Sequence, residues 1–102
     1  MITHISLYEL TDMDDLPLVQ TALEEMSNCP LIMQNEVRTA LFHPTEITDA
    51  LQFASIAHIA IFQTEKDALE YPDSLEHQDL VRKTGKYIRH VMSIDYERKT
   101  DA

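Results

Sequence analysis

Apolar positions along this chain follow two rhythms, a period near two and a period near 3.6, and the switches between them fall at recognisable breaks. From Met1 to Leu10, Ile2, His4, Ser6, Tyr8 and Leu10 share one parity while Ile5 and Leu7 hold the other. That pattern predicts a strand with large apolar groups on both faces, central in its sheet. Thr11 to Asp15 is a polar turn in which Asp14 or Asp15 can cap a helix. Pro17 suits the first helical turn, where its missing N–H has no intrahelical partner to lose. Leu16, Val19, Leu23 and Met26, with Ala22 alongside, then recur at helical spacing while Glu24 and Glu25 point away. The result is an amphipathic helix ending near Ser27-Asn28, ahead of Pro30. Leu31 to Leu41 predicts a strand in which Met33, Val37 and Leu41 alternate with polar residues, giving one wet face or an edge position. His43 to Ala50 is a loop, and Leu51 to Phe62 is a strand with Phe53, Ile56, Ile59, Ile61 and Phe62 on both faces.

The second half repeats the alternation of elements. Thr64 followed by Glu65, Lys66 and Asp67 starts a short helix running to about Glu70. Tyr71-Pro72 breaks it, because the residue before proline avoids the helical region. Ser74 caps a second helix to about Lys86, with Gly85 as its terminator. Tyr87 to Tyr96 is the last strand, with Ile88, His90, Met92, Ile94 and Tyr96 on one face. The order is βαββαβ, the split βαβ pattern of an α+β ferredoxin-like protomer, with a four-stranded antiparallel sheet and helices on one face. The domain spans 1–97 and leaves a polar tail at 98–102. No repeat, linker or low-complexity segment interrupts it.

Helices on one side of a sheet cover only one of its faces. Ile5, Leu7, Ala57, Ile59 and Ile61 form one apolar set, and Ile2, Tyr8, Ile56 and Phe62 form the other. Both cannot face helices. Burial of the second set against a copy of itself predicts a symmetric homodimer.

Composition mostly removes options. Eighteen acidic against eight basic residues give a formal charge of −10, which repels phosphate backbones and anionic lipid, so neither nucleic acid nor membrane is an expected partner. The excess is unevenly placed: residues 1–79 carry a balance of −13 and residues 80–102 one of +3. The only glycine is Gly85, so no glycine-rich nucleotide cradle can form and a ligand must be held by side chains in a pocket. Cys29 is the lone cysteine, which rules out an intrachain disulfide and a zinc ribbon and reads as a buried, inert thiol. MITHISLYEL lacks the basic and long apolar regions of a signal peptide, and no stretch approaches the ~20 apolar residues of a spanning helix. A cytoplasmic protein is the expectation.

The chemistry rests on histidines and one tyrosine. His4 lies in the first strand and His58 in the third, which a ferredoxin-like sheet is expected to place side by side and parallel, with both rings on one face. Either histidine alone reads as a core residue bonded to backbone or hydroxyl. Together they read as part of a ligand pocket. With Ser74 as N-cap, His77 stands at the third helical position, where the helix dipole favours a neutral ring able to accept a proton. Tyr71, at the break between the helices, carries a phenol able to donate to the same ligand atom; otherwise it packs on the sheet while Ser74 and His77 simply start a helix. A metal site from His4, His58 and His77 would need ligands from three elements without an HxH or HxxxH pair, and no metal is expected.

Four segments carry a family resemblance: Ile2-Thr3-His4-Ile5, Ile56-Ala57-His58-Ile59-Ala60-Ile61-Phe62, Tyr71 to His77, and Ile94-Asp95-Tyr96. Over essentially the whole chain the sequence resembles the stress-responsive dimeric α/β-barrel (Dabb) domain family, and Tyr-x5-His is the most specific part of the match. The resemblance implies a ferredoxin-like protomer whose two sheets join in a homodimeric α/β barrel. It also implies a pocket for a small apolar ligand near Tyr71 and His77, with His4 and His58 lining it. One plant member is a polyketide cyclase that works without a cofactor through a tyrosine and histidine matched here by Tyr71 and His77. Related dimeric barrels oxidise aromatic quinols, also without a cofactor. Two reading classes therefore stay open. One is a binding protein, and the other is a cofactor-independent cyclase-like or monooxygenase-like enzyme with His77 as base and Tyr71 as oxyanion donor. The chain departs from that plant cyclase at Ser74 and Leu75, where the enzyme has His-Pro. It also departs at Val19, Ala22 and Leu23, where the enzyme has bulkier pocket residues. A shared site location is thus better supported than a shared substrate.

Overall fold

A computed structural model describes residues 1–41 and 54–98. Four strands, β1 (Ile2–Leu10), β2 (Ile32–Thr39), β3 (Ile56–Phe62) and β4 (Ile88–Glu97), are joined with three helices, α1 (Leu16–Glu24), α2 (Glu65–Glu70) and α3 (Leu75–Thr84). The order is the expected βαββαβ with its second helical element in two pieces. The loop expected at 43–50 and the start of the expected strand at Leu51 to Phe53 lie outside the described residues, as does the tail beyond Arg98.

The helices begin where the polar side chains can cap them. Asp12 accepts from the Asp14 amide at 2.9 Å and so caps a single 3-10 turn ahead of α1, whereas Asp15 precedes α1 without a side-chain cap bond. The apolar stripe of α1 buries Val19, Ala22 and Leu23, and a 3-10 turn at Glu25–Asn28 adds Met26. Thr64 caps α2 by accepting from the Asp67 amide at 3.1 Å. Gly85 does not act as a left-handed terminator: its φ is −53°, and the chain continues through a 3-10 turn at Gly85–Tyr87 before β4. On α3, Glu76 lies in the first turn and Arg82 and Lys83 in the last, which suits the helix dipole. Lys83 also reaches Glu25 beyond α1 at 3.3 Å, tying α1 and α3 together at the surface.

Spatial order in the sheet is β2-β3-β1-β4, with every neighbouring pair antiparallel. The expectation of parallel β1 and β3 is therefore corrected. In a split βαβ unit the parallel strands are β1 and β2, and β3 fills the gap between them running against both. His58 consequently faces Ser6 across the strands, and His4 faces Ala60.

Two irregularities shift which residues face the helices. Ile32 pairs with Phe62 and Gln34 with Ile61, so Met33 is an extra residue on β2. The core side of β2 is thus Ile32 and Val37, while Met33 and Leu41 are exposed, unlike the expected Met33–Val37–Leu41 stripe. On β4, Leu10 pairs with Ile88 and Glu9 with His90, leaving Arg89 as the extra residue. Ile88 therefore packs against the core instead of sharing a face with His90, Met92, Ile94 and Tyr96.

The core lies between sheet and helices, around Phe62, Leu23, Ile56 and Val19, each no more than 1% exposed. Cys29 is buried there as a free thiol. Nothing among the described residues covers the opposite face: Leu7, Met92, Ile94 and Tyr96 stand exposed beside Ile5 and Ile59. Polar groups on it stand at the β2 edge, where Arg38 pairs with Glu36 at 2.5 Å, and at the end of β1 and β4, where Glu9 faces His90. Among the described residues no helix is long and apolar enough to cross a membrane.

Candidate functional site

Strand parity puts His4, Ser6 and Tyr8 on the helix-covered face of β1. The antiparallel register sets Asp95 opposite His4 and Ser93 opposite Ser6. These facing pairs bond. His4 Nδ1 lies 2.5 Å from Asp95 Oδ1, His4 Nε2 lies 2.8 Å from Ser6 Oγ, and Ser6 Oγ lies 2.7 Å from Ser93 Oγ. The Asp95 carboxylate can only accept, so His4 Nδ1 donates to it and the ring is fixed in orientation.

His58, from β3, occupies the same face but a different environment. It is fully buried. The Asn35 amide nitrogen donates to the Leu23 carbonyl at 3.0 Å, which turns the amide oxygen toward His58. His58 Nε2 therefore donates to Asn35 Oδ1 at 2.5 Å, and its Nδ1 is a buried acceptor without a partner among the described residues. Burial, reinforced by the nearby His4 and His77, pushes the His58 pKa down to about 4, so the ring is neutral at physiological pH.

Tyr71 and His77 come from the break between α2 and α3. Ser74 Oγ accepts from the His77 amide at 3.1 Å and donates to the Tyr71 carbonyl at 2.7 Å. One hydroxyl thus caps α3 and fixes the backbone on both sides of the break. The Tyr71 ring packs edge-on against His77 at 4.8 Å between centroids, and lies 5.1 Å from Phe62 and 5.7 Å from His4. His4 and His58 are 6.3 Å apart. Burial raises the Tyr71 pKa, so the phenol keeps its proton. Burial lowers the His77 pKa, against a backbone hydrogen bond to Pro72 that works in the opposite direction.

All four residues expected from the sequence therefore cluster under the helices, in two depths. His4 and His77 line a cleft of about 400 Å³ between α3 and the β1–β4 half of the sheet, together with Ser6, Ser93, Leu80 and Val91. Tyr71 and His58 are not in its wall; Tyr71 backs His77, and His58 sits in the core. Sequence reasoning missed Asp95, Ser93 and Asn35 as partners, because each is assigned by cross-strand register, which one strand alone does not reveal. It also missed Ser6, which stands two residues from His4 on the same strand face and was open to a parity argument. Among the described residues no group of three or more His, Cys, Asp or Glu side chains is placed to share a metal ion. A wider groove of about 550 Å³ runs along α1 and α3, but its cations are engaged: Lys83 with Asp79 and Glu25, Arg82 with Asp79, and Lys86 over the Tyr87 ring.

No protein-family model and no curated protein matches the chain. Solved structures do. A Dabb family protein with a ferredoxin-like fold from Mesorhizobium loti superposes with a TM-score of 0.72 at 16% identity, covering 97% of each chain. A dimeric ferredoxin-like protein of unknown function from Thermobifida fusca gives a TM-score of 0.73 at 18% identity, over 93% of this chain and 88% of that one. A putative antibiotic biosynthesis monooxygenase from Nitrosomonas europaea gives 0.72 at 13% identity, over 96% and 98%. At these identities the likeness establishes a common fold, and the neighbours include the family whose motifs the sequence resembles.

Proposed function

We propose that this chain is a Dabb-type, homodimeric ferredoxin-like protein that binds a small, mostly apolar ligand between α3 and the sheet, with the ligand's one polar group directed at His77. The observation that carries the reading is the contact of Tyr71 and His77 at 4.8 Å beside a cleft that His77 and His4 both line. A cleft of about 400 Å³ with a few convergent polar groups on an apolar wall is the usual build of a small-molecule site. The homodimer is supported by the uncovered apolar face and by the dimeric Thermobifida relative. Calorimetric titration with 1-naphthol, an apolar probe with a single hydroxyl, tests the binding. Saturable binding is expected, weakened about tenfold by His77→Ala, the size of one lost hydrogen bond. Absence of saturable binding up to millimolar probe overturns the reading.

A second reading is favoured by the protonation states. A neutral histidine against a phenol that keeps its proton is a base beside a hydrogen-bond donor. In a cofactor-independent cyclase-like or monooxygenase-like reaction, His77, on the cleft wall, would take the proton from the substrate. Tyr71, the expected oxyanion donor, lies behind His77 outside that wall and would act on it by holding the ring. Deuterium exchange at the central carbon of acetylacetone, followed by NMR, tests it. The wild type should accelerate exchange above buffer, and His77→Asn should return it to the buffer rate.

A further inference from the structure

The hydrogen-bonded chain on β1 and β4 is used by neither the proposed ligand binding nor the proposed proton transfer at His77. Asp95 Oδ1, His4 Nδ1, His4 Nε2 and Ser6 Oγ follow one another at 2.5 Å and 2.8 Å across the two bonds. A carboxylate holding one imidazole nitrogen while the other meets a hydroxyl is the arrangement that activates a serine, and it is recognised by geometry, whatever the order in sequence. We propose that Ser6 is an acyl-accepting nucleophile, with His4 as its general base and Asp95 as the positioning residue, in an activity toward small uncharged esters.

Three further observations support it. First, Ser6 and His4 both line the cleft, although Ser6 is only 2% exposed, so the hydroxyl sits at the cleft floor. Second, Ser93 Oγ lies 2.7 Å from Ser6 Oγ. When Ser93 donates, it occupies a lone pair of Ser6 and leaves the Ser6 proton directed to His4 Nε2. Third, Tyr8 lies two residues along on the same face and also lines the cleft. Burial raises its pKa, with Ser6 pulling the other way, so the phenol remains a donor beside the nucleophile. The rest of the wall includes Leu80, Val81, Ile88 and Val91, which suits an apolar acyl or aryl group, and the one lining cation, Arg89, is paired with Glu9 at 3.6 Å.

The step balances with water as the only co-reactant. Ser6 Oγ attacks the ester carbonyl carbon and its proton passes to His4 Nε2, giving an imidazolium held by Asp95. The carbonyl–alkoxy bond then breaks, and the leaving oxygen takes the proton from His4. Water repeats the sequence: its oxygen bonds to the acyl carbon, its proton goes to His4, and the Ser6–acyl bond breaks as Ser6 recovers that proton. The products are an alcohol and a carboxylic acid.

An alkyl fluorophosphonate probe on the full chain tests this, with the adduct located by tandem mass spectrometry. The expected result is phosphonylation of Ser6 with loss of fluoride, absent in Ser6→Ala. Asp95→Asn changes a residue whose side chain is 59% exposed, so it tests the mechanism without disturbing the core. It should slow labelling by about 10²–10⁴-fold, as expected when the wrong histidine tautomer is held. Absence of a Ser6 adduct in the wild type, or labelling of Asp95→Asn at the wild-type rate, overturns the proposal. The naphthol titration reads His77 and needs no nucleophile, so the two proposals fail separately.

Discussion

On the helix-covered side of β1 and β4 stand His4, Ser6, Ser93 and Asp95, linked by hydrogen bonds. On the bare side of the same two strands stand Ile5, Leu7, Met92 and Ile94, with Met92 and Ile94 74% and 59% exposed. Ser6 is buried and His4 half-buried, while Ser93 and Asp95 stay at the solvent edge; on the bare side the apolar groups are in the open, the reverse of what burial favours in an isolated protomer. The two sides therefore explain each other. His4 and Ser6 are tolerated under the helices because each meets a polar partner, while the apolar side is the surface that the proposed homodimer would cover. With the proposed chemistry on one side and the proposed assembly on the other, a substitution on either side tests one without touching the other.

The largest expected effect tests the bare side. Ile94→Asp places a carboxylate in the proposed symmetric interface twice, at a cost of about 3 kcal/mol or more. The dimer dissociation constant should rise more than a hundredfold, and light scattering at micromolar concentration should give a monomer mass with the protomer still folded. A wild type that is already monomeric under these conditions breaks the comparison.

The covered side is tested through acid. Unfolded His58 gains a proton below about pH 6.5, whereas the folded residue resists it until about pH 4. Stability should fall as pH drops through that window, by about 3 kcal/mol from this residue. Urea unfolding at pH 7 and at pH 4.5 should show the loss, and His58→Gln should flatten it. An unchanged slope in the variant would move the titration elsewhere. The smallest effect concerns the break between α2 and α3. Ser74→Ala removes the α3 cap and the bond to the Tyr71 carbonyl, so the loss should be about 1 kcal/mol and the melting temperature about 4–8 °C lower.

What could be read in advance divides along the same physical line. The cap at Ser74 and the placement of His77 are local, set by residues within four positions of each other, and are legible. The break itself falls at Ser74, because Tyr71 keeps helical angles ahead of Pro72 and the chain runs on through a 3-10 turn at Tyr71–Asp73, contrary to the expectation for a residue before proline. So was the sorting of Ile5, Leu7, Ala57, Ile59 and Ile61 onto one face, because side-chain parity survives even when strand direction is assigned wrongly. His4 and His58 share a face for that reason, despite running antiparallel where parallel strands were expected. Register is different in kind. Nothing in β4 alone says that Asp95 meets His4, and nothing in β2 alone says that Met33 is an extra residue.

The extra residue in β4 has a consequence of its own. Suppose the bulge closed with no residue lost, Ile88 keeping its place beside Leu10 and Arg89 pairing with Glu9. Every residue from His90 onward would then move one step along β1. Ile94 would face His4 and Met92 would face Ser6, both under the helices, while Ser93 and Asp95 would turn outward. The hydrogen-bonded chain and the share of the apolar surface that β4 supplies would be lost in one event. One unpaired residue thus sets which side of β4 carries its polar groups and which its apolar ones.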